Sequence, residues 1–246
     1  MQADIKTVTA LGGYAATAIT AVTVQNTLGV SGVHPIPLAI IEAQARAVLD
    51  DIGADAIKTG MLGDAATVAL VARLLEEAGV SAVIDPVMIA KGGASLLAAD
   101  AVTAVRERLV PLATLLTPNA PEAEALTGLA VTSTDDLRRA GEVLLALGAQ
   151  AVLMKGGHVA GERVVDVLMT PDGEVVFEGE RIDSRHTHGT GCTLASACAV
   201  GIAQGLSLEA AVARAWDYVH EAMLRAPGFG AGHGPLDHGW PLRGRA

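Results

Sequence analysis

His186-Thr187-His188-Gly189-Thr190-Gly191-Cys192-Thr193 joins a hairpin-like segment to a helix of small residues. Gly189 and Gly191 let the backbone turn tightly and leave room for a ligand to approach the amides. The first turn of a helix carries unpaired N–H groups and a partial positive charge, so the loop is a ready anion site. Cys192 stands where that field favours a thiolate. The pattern fits a loop that holds a phosphoryl group in flight, with Cys192 taking the proton of an acceptor alcohol. The plainer account of Cys192 is a small buried thiol; the Gly-x-Gly before it favours the chemical one.

Upstream of this loop, Val164 to Met169 and Glu174 to Phe177 read as an antiparallel hairpin across Pro171-Asp172-Gly173. Earlier still the chain alternates short apolar strands with helices. Strands are expected at 15–24, 56–57, 82–84, 115–116 and 151–154. Helices are expected at 3–11, 38–52, 64–78 with Asp64 as N-cap and Gly79 beyond the end, 100–109, around Glu122 and Glu124, and along Leu137, Ala140, Leu144 and Leu147. Val212, Trp216, Val219 and Met223 mark the buried face of the last helix. Such alternation predicts an α/β fold, a mostly parallel sheet between helix layers with one small antiparallel hairpin, as a single domain over residues 1–246.

Gln25, Lys58, Asp85, Asn119 and Lys155 each follow directly on one of these strands. An open α/β sheet places its ligand site at the carboxyl ends of its strands, and five polar residues there argue for such a site. Asn119 and Glu122 are one helical turn apart, so a carboxylate there can hold Mg²⁺ beside nucleotide phosphates. The spacing alone is better explained as an N-cap asparagine with an acid in the first turn. Lys155, followed by two glycines, can neutralise a transferring phosphoryl group or simply snorkel to the surface. Asp85 can assist the metal or cap the turn at Pro86, and Lys58 adds positive potential. His186 and His188 lack a third ligand nearby in sequence and read as loop residues rather than a metal pair. His233 and His238 read as structural or lid elements.

Bulk properties exclude several classes. The chain has 246 residues, 51% of them hydrophobic, and a net charge of −10 from 17 basic and 27 acidic residues. No basic run offers a surface to nucleic acid or to an anionic membrane. Cys192 and Cys198 are too few for a disulfide scaffold, which fits a reducing cytoplasm. Two long uncharged stretches, 7–41 and 186–208, are broken by Gly, Pro and Gln or are too small-residue-rich for a span, so both read as buried core. There is no Walker A loop, no Rossmann glycine triplet, and no zinc or nucleophile-elbow motif.

Taken in order, the motifs resemble the hydroxymethylpyrimidine/phosphomethylpyrimidine kinases, the thiamine-pathway branch of the ribokinase-like superfamily. The resemblance rests on Ile19-Thr20-Ala21 with Gln25-Asn26-Thr27, Lys58-Thr59-Gly60-Met61-Leu62, and Asp85-Pro86-Val87-Met88-Ile89-Ala90-Lys91. It continues through Thr117-Pro118-Asn119 with Pro121-Glu122-Ala123, Met154-Lys155-Gly156-Gly157-His158, the 186–193 loop and Gly230-Ala231-Gly232-His233-Gly234-Pro235. It implies a ribokinase-like three-layer α/β/α fold and two successive ATP- and Mg²⁺-dependent phosphorylations of a small aminopyrimidine alcohol. By that similarity Gln25, Val87 and Met88 meet the pyrimidine, and Glu122 and Asp85 serve Mg²⁺. Asn119, Lys155 and Gly191 meet the nucleotide, and Gly189, Thr190, Gly191, Cys192 and Lys155 do the chemistry. A homodimer is expected from the same resemblance. The family opens with a strand and a Gly-rich loop before its Gln-Ala-Asp, whereas this chain begins at Met1-Gln2-Ala3-Asp4, so the usual first strand is expected to be absent. Two alternatives stand beside this reading: pyridoxal phosphorylation in the same branch, and a truncated relative that binds pyrimidine without turnover.

Overall fold

The computed structural model describes residues 1–88 and 99–243. The motif residues Ile89, Ala90 and Lys91 lie outside the described residues. Contacts gather the chain into two compact units, taken here in turn.

One unit runs from Ile57 to Met88 and from 99 to Arg181. It holds a six-stranded sheet of β3 (Ala56–Thr59), β4 (Ser81–Ile84), β5 (Leu115–Leu116), β6 (Val152–Met154), β7 (Arg163–Thr170) and β8 (Gly173–Glu180), in that spatial order. β4, β5 and β6 pair in parallel, whereas β6–β7 and β7–β8 are antiparallel. The expected hairpin is therefore β7–β8, turning at Pro171-Asp172, and it extends the main sheet. Helix α3 (Ala65–Ala78) is opened by Asp64, whose side chain accepts the Thr67 amide, and closed by Gly79 in the left-handed region. These are the cap residues the sequence supplies. Helix α4 (Ala99–Ala104) passes into a wider π-helical turn at Val105–Leu109. Helices α5 (Ala120–Thr127) and α6 (Thr134–Ala146) follow, each with a capping box. Val68, Ile84, Leu116, Leu126, Leu144 and Val152 meet in one core cluster. Each contributes about 1.5–3 kcal/mol by leaving water.

The other unit comprises Met1–Ala56 and the chain from Ile182 onward. α1 (Gln2–Ala10), α7 (Thr190–Ala203) and α8 (Leu208–Leu224) pack together. α7 is buried along Leu194–Val200, so the small-residue stretch is core, as its composition suggests. A Cβ on Gly201 would press on Ala211 of α8, and that absence of a side chain lets the two helices approach closely. On α8 the buried face is Ala211, Val212, Ala215, Tyr218, Val219 and Ala222, with Trp216 and Met223 at its margin.

The N-terminal region departs from the sequence expectation. A buried strand over 15–24 is not found. β1 (Ala21–Asn26) instead pairs with β2 (Gly29–Pro35) as a separate antiparallel hairpin. Val22, Val24 and Val33 are exposed. Val and Thr suit a pleated strand whether or not it is covered, so residue type alone does not report burial. α2 (Leu38–Leu49) follows, ending one turn before the expected boundary.

Candidate active site

At the carboxyl ends of β3 to β6 four charged side chains converge. Lys155 follows β6 and is 9% exposed. Its Nζ lies 3.1 Å from Asp85 Oδ1 and 3.8 Å from Glu122 Oε2. Lys58, within β3, lies 3.8 Å from Asp85 Oδ2. Two ammonium groups and two carboxylates so arranged compensate one another, which permits their burial. The Thr117 hydroxyl donates to Asp85 Oδ1 at 3.3 Å.

Glu122 is buried at the start of α5. The Asn119 amide donates to Glu122 Oε2 at 2.8 Å, and the Glu122 amide donates to Asn119 Oδ1 at 2.9 Å. The pair is thus a complete capping box, and the helix-start account of its spacing is correct as geometry. Burial pushes the Glu122 carboxyl above its ordinary range; Asp85 adds to this, while Lys155 and the Asn119 bonds oppose it.

The backbone after Lys155 is held from both sides. The Lys155 amide donates to Pro118 O at 2.9 Å. Gly156 N donates to the buried Asp166 carboxylate at 2.7 Å. A Cβ on Gly156 would collide with the Val165 carbonyl, so this position requires glycine. Arg181 donates to the carbonyls of Gly157, Val159 and Gly161 and closes that loop. Asp166 and Arg181 were not singled out from sequence, because a carboxylate inside a strand and an arginine after one carry no motif.

Val87 lines a crevice with Thr59, Gly60, Asp85 and Leu109 whose volume, ≈ 10 Å³, suits about one water. Met88 is buried among the core residues. Among the described residues no three His, Cys, Asp or Glu side chains form a metal cage. Mg²⁺ does not need one: it is commonly held by one or two carboxylates together with phosphate oxygens and water. Asp85 Oδ2 is buried without a hydrogen-bond partner, spare acceptor capacity that suits a cation.

In the other unit the 186–193 loop forms the start of α7. Gly189 is its N-cap, with φ of 83° and no capping side chain. The Thr190 hydroxyl donates to Thr187 O at 2.8 Å, and the Thr193 amide donates to Gly189 O at 2.8 Å. No acidic residue lies in the first turn, and half-buried Cys192 does. Gln25 stands exposed on β1, next to the hairpin turn.

The C-terminal glycines join these two places. His233 N donates to Thr27 O at 2.7 Å, and Gly232 N donates to Thr27 Oγ1 at 3.3 Å. Side chains on Gly230 or Gly232 would strike Thr27. His188 N donates to Gly234 O at 3.1 Å, and His233 Nδ1 lies 3.2 Å from Arg185 O. The segment 230–235 is therefore a strap between the hairpin turn and the loop before α7, which is the structural role expected of His233.

Comparisons with known proteins bear on the chain as a whole. The sequence model of a family described as phosphomethylpyrimidine kinase matches residues 1–237. The chain is 49% identical over 242 residues to a hydroxymethylpyrimidine/phosphomethylpyrimidine kinase of Streptomyces coelicolor, covering 98% of this chain and 90% of that one. It superposes on Bacillus subtilis pyridoxal kinase, solved with ADP, with a TM-score of 0.91 and 36% identity, over 100% of this chain and 93% of that one. On a phosphomethylpyrimidine kinase from Clostridium difficile the TM-score is 0.80 with 40% identity, over 90% and 91% of the two chains. The fold is thus the ribokinase-like α/β/α fold that the motifs imply.

Proposed function

This chain belongs to the phosphomethylpyrimidine kinase family, and from that premise we propose that it phosphorylates 4-amino-5-hydroxymethyl-2-methylpyrimidine with ATP. A second transfer, to the monophosphate, gives the diphosphate used in thiamine biosynthesis. The observation that carries the reading is the start of α7, where a left-handed Gly189 leaves the first-turn amides without a capping side chain and Cys192 sits in that turn.

Those amides suit the negative charge of the transferring phosphoryl group. Cys192 Sγ, as thiolate, takes the proton of the substrate hydroxyl; the alcohol oxygen bonds to the γ-phosphorus; the bond to the β-phosphate oxygen breaks and ADP leaves. The transition state is loose, so placement matters more than early proton removal. Lys155 balances phosphate charge, and Asn119 and Gly191 meet the nucleotide. Asp85 and Glu122 are the residues that would hold Mg²⁺, which when bound screens the phosphates. By the same resemblance Gln25 contacts the aminopyrimidine, with Val87 or Met88 lining its pocket.

The test is product mass after incubation with ATP, Mg²⁺ and the hydroxymethylpyrimidine. One and then two phosphoryl additions are expected; none, with calorimetry still showing pyrimidine binding, would favour a binding protein. Cys192→Ala is expected to lower kcat far more than it changes KM, and full kcat would remove Cys192 as base. The pyridoxal reading draws on the 0.91 TM-score with the Bacillus subtilis enzyme. Comparing kcat/KM for the two alcohols decides between them, with preference for the pyrimidine expected.

A further inference from the structure

We propose that His238 is a positioning residue for the anion loop: through the Thr193 hydroxyl it fixes the Gly189 carbonyl and so the direction of the amides that open α7. The proposal rests on the phosphoryl-transfer reading of that loop. His238 is 5% exposed, and its Nε2 lies 2.9 Å from Thr193 Oγ1. Thr193 follows Cys192 and is fully buried. Its hydroxyl lies 2.7 Å from the Gly189 carbonyl, which also accepts the Thr193 amide at 2.8 Å. A carbonyl gripped by both groups of one residue cannot swing without breaking two bonds. Its peptide plane also carries the Thr190 N–H, the first N–H of the helix, which turns toward Thr187 O at 3.4 Å, so the carbonyl sets the start from which the Gly191 and Cys192 amides follow.

The histidine is itself anchored. The Tyr218 hydroxyl donates to His238 O at 2.7 Å, and Trp240 Nε1 donates to Tyr218 O at 3.3 Å. Asp237 N donates to Ala222 O at 2.9 Å, which ties this stretch to α8.

A threonine hydroxyl has one proton to give. When Nε2 of His238 carries a proton, it donates to Thr193, whose own proton goes to Gly189. When Nε2 is bare it takes the Thr193 proton, and Gly189 loses that bond. The charged groups that act on the ring are Lys6 and Asp4 on α1 and Asp237 beside it, while the Tyr218 hydroxyl of α8 meets the His238 backbone carbonyl. Burial and Lys6 hold the imidazole below its ordinary range; Asp237, Asp4 and a bond with the Leu236 backbone oppose them.

The test uses the full chain with His238→Ala, His238→Gln and Thr193→Val. His238→Ala is expected to lower kcat about tenfold, since small misplacements of reacting groups are costly, while KM for both substrates stays near that of the parent. Glutamine can still donate to Thr193, so His238→Gln is expected to recover most of kcat. Thr193→Val keeps the buried volume without the hydroxyl and is expected to match the alanine loss, with no further loss in the double variant. Alkylation of the Cys192 thiol, followed against pH, reads the field at the helix start without turnover. It is expected to slow in His238→Ala and Thr193→Val and to recover in His238→Gln. Parent kcat and parent alkylation rate in His238→Ala or Thr193→Val overturn the proposal. So does a glutamine variant as impaired as alanine with an equally lowered Tm, which marks a merely structural role. If the parent makes no phosphorylated pyrimidine, the reading of the site fails, and the alkylation rates alone decide the role of His238.

Discussion

Lys155 holds two buried carboxylates in place at once. Lys155→Met would leave Glu122 and Asp85 facing each other, with Lys58, 3.8 Å from Asp85, as the remaining nearby cation among the described residues. Removing one partner of a buried ion pair typically costs about 3–5 kcal/mol. A urea midpoint shift of that order is expected beside loss of turnover, and an unchanged midpoint would show the cluster to be dispensable for folding. Glu122 adds a pH dependence. Its carboxyl is raised above 4.5 in the folded chain, chiefly by burial. The folded state therefore binds that proton more tightly than the unfolded state. The resulting stability is complete below pH 4.5 and is lost as pH rises through the higher folded value. Relative to Glu122→Gln, the parent should lose stability across that interval, as denaturation at stepped pH would show; parallel curves would contradict the raised value. Of these residues, the sequence marked positions but not pairings. Lys155 and Asp85 stand 70 residues apart, and nothing local to either names the other.

Helices carry their boundaries in a few residues, which is why they were the most legible part of the chain. Asp64 and Gly79 bracket α3 as read, because a cap bond and a left-handed residue are local requirements. Asp64→Ala is expected to cost about 1 kcal/mol, measured by thermal or urea unfolding. Strand burial is not a local property, and β1 shows the consequence: its residues suit a core, yet the chain places them on an exposed hairpin. The C-terminal glycines were noted as a motif, but their reason, close approach to Thr27, appears only in the fold. Gly232→Ala would push the strap off the hairpin turn. We expect a raised KM for the pyrimidine and faster hydrogen exchange in β1–β2, with α3 to α6 unaffected; parent values for both would show that the strap does not hold the hairpin.

At the scale of the whole chain, the ordered series of motifs carries the family likeness that the family model matches over residues 1–237. The division of contacts into two units had no counterpart in sequence, since no linker or composition change marks it. Among the described residues no helix is long and apolar enough to cross a membrane. The homodimer expected from the resemblance is proposed to use the exposed Val22 and Val24, which share one face of β1. Sedimentation should give twice the monomer mass, and Val24→Asp should reduce it; a monomer at all concentrations would refute the dimer.

Lys58, Lys155, Asp85 and Glu122 cancel in formal charge, on a chain that carries −10 overall. Such a cleft exerts no long-range pull on an anion like ATP, and the protein as a whole repels it. Encounter should then be slower than the steered limit, closer to the ~10⁵–10⁶ M⁻¹ s⁻¹ of unassisted association. Raising ionic strength should quicken nucleotide capture rather than hinder it, because counterions hide like charges from one another.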